Sequence, residues 1–352
     1  TLSQRIHRLI EESGPLRFCD FMALALYDPA EGYYASGTAQ VGRGGDFYTS
    51  VSVGPLFGHL LARRFAAEWQ NLGRPALWRI TECGAHDGRL ALDILENLRA
   101  LEPSAYQAVQ YAIIEPLPSL QAAQRLTLRE HPQRLLQSPT ADNLDPLPGV
   151  VFGNEVLDAL PCRCIEWRDG GWRECAVGLD ARGALEWRLM EPREPALLAA
   201  LAGLGNGFDE GYRSEVRSVY PDFLAPLARC LKEGLMLWID YGFEREDYYH
   251  PDRREGTLRT YCKHQAGADP LLEPGTLDIS AHVDFTAVSH AAAALGGKPL
   301  PLLSQGMWLT SLAREWLLAQ EGRPDPAAIR QFQTLTHPAH LGRSFQVLEI
   351  RF

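Results

Sequence analysis

Glu82 closes the apolar run at residues 77–82 and is followed at once by Cys83-Gly84-Ala85-His86-Asp87-Gly88, then by a helical pattern starting at Arg89. An acid on the last residue of a strand, a glycine turn and a helix start together make a receptor for a ligand. Glycines at 84 and 88 let the backbone turn sharply, and the unpaired N–H groups of a helix N-terminus attract a carboxylate or phosphate. A second apolar run, 109–115, again ends in an acid. In a doubly wound sheet a carboxylate so placed holds the two hydroxyls of a ribose. The chemistry these residues suit is the binding of a nucleotide-like cofactor, with Glu82, Gly84, Gly88 and Glu115 around it.

The elements that must position these groups alternate. Strand and helix patterns follow each other at 77–82, 88–100, 109–115, 117–130, 134–137 and 149–154, which implies a mostly parallel sheet covered on both faces, an α/β fold. Before them, residues 1–75 carry helical patterns at 3–12, 21–26 and 55–71 around a loop-rich middle. After them, 163–218 reads as an antiparallel insertion, with strands at 164–168, 172–177 and 185–189 separated by glycine turns. The sheet resumes at 234–240 behind a helix at 220–232. Residues 243–281 form a long excursion, which in a compact domain is more often functional than idle. Helices near 282–295, 305–320 and 325–335 and a last strand at 344–352 complete the reading. The segments are therefore 1–75, a first core part 76–162, the insertion 163–218 and the remaining core 219–352.

The chain has 352 residues, 46% of them hydrophobic, enough for a large core. Forty-four acids against 34 Lys and Arg give a net charge of −10, which argues against a nucleic-acid footprint and suits a basic partner. Seven scattered cysteines in a chain of this size point to a reducing compartment, the cytoplasm by default. Cys162 and Cys164, or Cys262 and His264, do not complete a tetrahedral metal set, and no apolar run approaches a membrane span. The opening segment, with both charge signs and helical periodicity, resembles neither a secretory signal nor a transit peptide.

The ordered words of the sequence resemble the MidA-like class I S-adenosylmethionine-dependent methyltransferases over essentially the whole length. They include Gly32-Tyr-Tyr34, Gly45-Asp-Phe-Tyr-Thr-Ser50, the 82–88 turn, Asn154-Glu-Val-Leu-Asp-Ala-Leu-Pro161, Asp240-Tyr-Gly242, Gly256-Thr-Leu-Arg-Thr-Tyr261, His282-Val-Asp-Phe285 and Gln305-Gly306. The mitochondrial member of that family methylates an arginine in a subunit of respiratory complex I. The resemblance implies a Rossmann-like class I sheet with an amino-terminal helical region and inserted antiparallel strands. Two departures stand out. The family spells its turn E-x-G-x-G-x-G, and His86 replaces the middle glycine. Where the family continues Pro-Glu after Ser50, this chain has Val51-Ser52.

The resemblance further implies S-adenosyl-L-methionine as cofactor, with Gly84 and Gly88 shaping the turn, Glu115 on the ribose, and Glu82 ordering the turn from beneath. His86 either shifts the cofactor or contacts its carboxylate, Asn154 borders the same site, and Asp46, Thr49 and Ser50 belong to a lid. Methyl transfer needs a nucleophile aligned behind the methyl carbon, so positioning and proton control dominate. Glu155, with Asp158 three residues on, would take a planar guanidinium bidentately, or both acids would merely cap the following turn. Asp240 joins the substrate rim or caps a turn. His264, amid Arg259, Tyr261, Asp278, His282 and Asp284, would accept a proton or order the excursion. The partner so implied is a protein substrate, a respiratory-complex subunit or another basic segment, with an oligomer left open. The competing readings are a non-catalytic assembly protein that keeps the fold, raised by His86, and a nicotinamide-dependent oxidoreductase, whose G-x-G-x-x-G spacing the turn fits poorly.

Overall fold

Every residue of the Trp78–Cys83 strand is buried, as a strand covered on both faces must be. The computed structural model describes residues 1–35, 49–262, 265–267, 269–322 and 324–352. The chain divides into two compact units.

One unit comprises Tyr48–Leu157, Pro221–Gly242 and Phe285–Phe352. Along the chain its main strands are Trp78–Cys83, Val109–Ile114, Leu135–Ser138, Leu147–Asn154, Leu231–Phe243, Lys298–Pro299 and Phe345–Arg351, here called first to seventh. Their order across the sheet is 3-2-1-4-5-7-6. The first five are parallel, and the seventh runs antiparallel between the fifth and sixth. The chain lays strands one to three outward in one direction, then returns to place the fourth on the other side of the first. That reversal opens a crevice at the carboxyl ends of strands one and four, where doubly wound sheets bind ligands.

Helices cover this sheet because their apolar residues recur at three- and four-residue spacing. Arg89–Leu101 buries Leu90, Ala91, Ile94, Leu95 and Leu98, and Leu56–Asn71 buries Leu60, Leu61 and Phe65 in the same core as Ile80, Phe152 and Leu237. Ile94 is fully buried; hiding such a side chain contributes about 1.5–3 kcal/mol. The reversed seventh strand is tied to Leu56–Asn71 by charge. Arg64 donates to both oxygens of Glu349 at 2.8 and 3.0 Å and to Glu68 at 3.0 Å, and Trp308 Nε1 donates to Glu349 at 3.0 Å.

The other unit comprises Thr1–Phe47, Asp158–Tyr220 and Phe243–Asp284. Its antiparallel sheet is centred on Gly171–Leu179, which pairs with Leu16–Arg17, Arg163–Arg168 and Leu185–Met190; Arg213–Val216 extends it beyond Arg163–Arg168. Helices Leu2–Ser13 and Phe18–Tyr27 pack on it through Leu2, Ile6, Ile10, Phe18, Phe21 and Met22. A separate cluster holds Trp167, Trp172, Tyr212 and Leu197. The unit boundaries cut across the segments read from sequence, because the amino-terminal segment pairs with the insertion and buried polar side chains bind the excursion to both.

Two of those side chains come from one strand and its exit. Glu215 accepts from the N–H groups of Thr257 and Leu258 and from the Thr257 and Tyr248 hydroxyls. Arg217 donates to the carbonyls of Leu160, His282, Asp158 and Ala281. Within the excursion, Arg259–Cys262 pairs with Gln265–Ala266 and Asp278–Ser280. The helix expected over 305–320 is two, Gln305–Leu312 and Arg314–Gly322. Among the described residues no helix is long and apolar enough to cross a membrane, and no group of three His, Cys, Asp or Glu could hold a metal ion.

Candidate active site

The turn that follows the first strand is built on three left-handed residues, Gly84 (φ 70°), His86 (φ 46°) and Gly88 (φ 84°). At Gly84 both conformation and space demand glycine, since a Cβ there would lie 2.6 Å from Val156 Cγ2. Gly88 caps the Arg89–Leu101 helix from the left-handed region, a conformation that glycine takes without strain. His86 is the one of the three with a side chain; histidine is among the residues enriched at positive φ, though glycine would hold that conformation at lower cost. Its carbonyl accepts from Gln124 Nε2 at 2.9 Å, and its Nδ1 lies 3.8 Å from Asp87 Oδ1. That neighbour holds the Asp87 carboxyl below the usual carboxylate range, helped by the Arg89 N–H.

Glu82 and Glu115, alike in sequence, sit in different surroundings. Glu82 is 2% exposed, and the Tyr111 hydroxyl donates to its Oε2 at 2.7 Å. Burial pushes its carboxyl up to about 8, against the pull of that hydrogen bond. Glu115 ends just past the second strand; its Oε1 accepts from Leu117 N at 2.8 Å and its Oε2 from Gln124 Nε2 at 3.3 Å. Burial raises its carboxyl, and those two donors and the nearby His86 ring work the other way. Gln124 is fully buried and bridges the carbonyl of His86 and the carboxyl of Glu115. Nothing in the residue spacing marks Tyr111, Gln124 or Val156 as part of the site. Only the place of Gln124 on the helix behind Glu115 could have drawn attention to it.

At the end of the fourth strand Asn154 Nδ2 donates to Glu155 Oε1 at 2.9 Å. Glu155 has φ 56°, a strained conformation for a side chain of its size. Asn154 Oδ1 is buried and has no hydrogen-bond partner among the described residues, and a buried acceptor of that kind calls for a donor. Asp240, 1% exposed at the end of the fifth strand, accepts from Val156 N at 3.1 Å and Leu157 N at 2.8 Å on one oxygen and from Tyr241 N at 2.8 Å on the other. Of the two roles open to Asp240, turn capping is the one this geometry displays.

The partners of the remaining expected site residues are these. The Ser50 hydroxyl donates to Gln305 Oε1 at 3.0 Å with both residues fully buried, and Thr49 caps the short Ser50–Val53 helix through a reciprocal pair with Ser52. Ser52, which departs from the family spelling, thus completes a capping box. Asp158 belongs to the other unit, where burial pushes its carboxyl up to about 6 and Arg217 works against that rise. His282, in that unit, is pushed down to about 4 by burial and by arginines 253, 259 and 217. Asp46 and His264 lie outside the described residues.

The crevice, the left-handed turn, the two strand-end carboxylates and the orphaned Asn154 oxygen suit a ligand with hydroxyl and amino donors, which S-adenosyl-L-methionine carries. Residues 60–301 match the family model of S-adenosyl-L-methionine-dependent methyltransferases, and the chain belongs to that family. A crystal structure from Burkholderia thailandensis, regarded as a methyl transferase and bound to S-adenosyl-homocysteine, is 33% identical with a TM-score of 0.88, covering 100% of this chain and 92% of that one. A mitochondrial homologue of the protein arginine methyltransferase NDUFAF7 from Drosophila melanogaster is 28% identical over 99% of this chain and 84% of its own. The Rattus norvegicus protein arginine methyltransferase NDUFAF7 is 27% identical over 96% and 81%.

The protein is an S-adenosyl-L-methionine-dependent methyltransferase of the MidA-like kind, with the class I Rossmann-like fold. The nicotinamide reading falls with that assignment.

Proposed function

We propose that the acceptor is the guanidinium of an arginine in a protein substrate and that Glu155 holds it. The observation that carries this is the pairing of Asn154 and Glu155 at the carboxyl end of the fourth strand, with Glu155 kept in a left-handed conformation. Glycine would adopt that backbone at less cost, so the carboxylate is what the position retains. A carboxylate grips the planar guanidinium fork bidentately and turns one nitrogen toward the donor. The names of the Drosophila and rat relatives support arginine as the acceptor.

The cofactor supplies an electrophilic methyl on a sulfonium. The chain binds and orients, with Gly84, His86 and Gly88 shaping the turn, Glu115 offered to the ribose hydroxyls, Asn154 Oδ1 offered to a donor of the ligand, and Glu82 bracing the turn from below. Methylation releases a guanidinium proton, so the reaction needs a proton acceptor. The net charge of −10 suits a basic partner segment, and a respiratory-complex subunit, the acceptor that the family resemblance implies, is the first to try. Cytoplasm or mitochondrial matrix, both reducing, suits the six free cysteines among the described residues.

The test is transfer of labelled methyl from S-adenosylmethionine to a pool of arginine-containing peptides, followed by mass spectrometry of the product. Label appears on a guanidinium nitrogen, and Glu155→Gln lowers turnover by about 100-fold while leaving S-adenosylhomocysteine affinity within about threefold. Label on lysine or on a carboxylate, or full turnover in Glu155→Gln, overturns the assignment.

A further inference from the structure

Three successive amides leave the fourth strand, and the end of the fifth strand takes all of them. Glu155 N donates to the Ile239 carbonyl at 2.9 Å, and Val156 N and Leu157 N donate to Asp240 Oδ2 at 3.1 and 2.8 Å. The other oxygen of Asp240 accepts from Tyr241 N, which fixes the rotation of the carboxylate. The residue whose backbone is gripped in this way is Glu155, at φ 56°. A left-handed non-glycine residue costs about 1–3 kcal/mol and persists only where its surroundings over-determine it.

We infer that Asp240 is a positioning residue of the methyl-transfer reaction: it does not contact the acceptor, but holds the 155–157 turn so that Asn154 and Glu155 face the reacting groups. A carboxylate suits this work because it accepts on both oxygens and donates on neither. Asparagine in its place could keep its single oxygen on Val156 N and Leu157 N, whereas alanine offers no acceptor, so the turn loses both of its side-chain anchors. Released from them, Glu155 would relax toward ordinary φ values and swing its carboxylate away. Displacements near 1 Å at a reacting centre are enough to cost about 100-fold in rate.

The inference rests on Glu155 as the acceptor clamp, and the experiment separates the two. Asp240→Ala, Glu155→Gln and the double variant are compared in three measurements. These are amide hydrogen exchange at 155–157, calorimetric affinity for S-adenosylhomocysteine, and labelled methyl transfer to the arginine peptide pool at saturating donor. In Asp240→Ala the Val156 and Leu157 amides exchange at least about tenfold faster. The amides of Leu235–Trp238 in the fifth strand keep their protection, and cofactor affinity stays within about threefold. Turnover falls about 30-fold or more, and the same substitution costs almost nothing further once Glu155 is Gln, because residues acting as a unit are not additive.

Unchanged exchange at 156 and 157, or turnover losses that simply multiply in the double variant, overturns the positioning role. If the wild-type protein labels no arginine peptide, the acceptor assignment falls instead, and the exchange result with Asp240→Ala still decides whether Asp240 holds the turn.

Discussion

The Tyr111 hydroxyl donates to Glu82 Oε2 at 2.7 Å across neighbouring parallel strands. This bond gives a buried acid a neutral donor and no countercharge, and the carboxyl stands near 8 in the folded chain against an ordinary 4.5. The folded state therefore binds the Glu82 proton more tightly between those two values. Its contribution to stability is full below about pH 4.5, declines as pH rises and is lost above about pH 8. Urea unfolding from pH 5 to 9 checks this: Glu82→Gln shows a shallower decline than the parent chain. Parallel curves would mean that Glu82 titrates as an exposed acid does.

His86→Gly removes a side chain from a left-handed position. Relief of strain outweighs the added freedom of glycine in the unfolded chain, so stability rises by about 0.5–1 kcal/mol. The turn keeps its shape, and S-adenosylhomocysteine binds as well or better. A tenfold loss of affinity by calorimetry would show that the imidazole touches the ligand.

Gly84→Ala meets two obstacles, the positive φ and the Val156 methyl 2.6 Å away. The expected cost is about 2–4 kcal/mol in urea unfolding. In a Val156→Ala background the steric part disappears and the conformational part remains, so the cost there is smaller but not zero. Equal costs in both backgrounds would place the whole effect in the backbone.

Much of this site was legible from the chain because it is local. The acid at 82, the glycines and the helix start fall within a dozen residues, and the strand lies at Trp78–Cys83 with the helix at Arg89–Leu101. Glu115 follows from the same strand-end rule and Asn154 from the family resemblance, and the last strand, expected over 344–352, is Phe345–Arg351.

What escaped the sequence is long-range. The two-residue strand Leu16–Arg17 finds its partners at Val177 and Ala176, and a pairing so distant leaves no periodic trace. Arg213–Val216, four residues with two charges, has no alternation long enough to signal a strand. Ser50 carried the spelling of a ligand-binding loop, yet its hydroxyl is sealed against Gln305 some 250 residues later in the chain. Asp240 was visible as an acid at a strand end; only its three N–H donors separate an anchor from a substrate contact.

The Glu115 carboxyl, raised by burial, must be ionised to accept fully from two hydroxyls. Affinity for S-adenosylhomocysteine therefore weakens as pH falls through its raised value, and Glu115→Gln removes that dependence. Calorimetry across pH 4.5 to 8 reads it, and an identical slope in the variant would assign the titration to another group.

The 84–88 turn and Glu115 together should hold the donor at the crevice between the first and fourth strands. Calorimetric titration of S-adenosylhomocysteine into the parent chain, Glu115→Ala and Ser50→Ala tests it most directly. The expected result is one site per chain, an affinity loss of about 10- to 100-fold in Glu115→Ala and little change in Ser50→Ala. Undiminished binding in Glu115→Ala, or no binding to the parent chain, would contradict it.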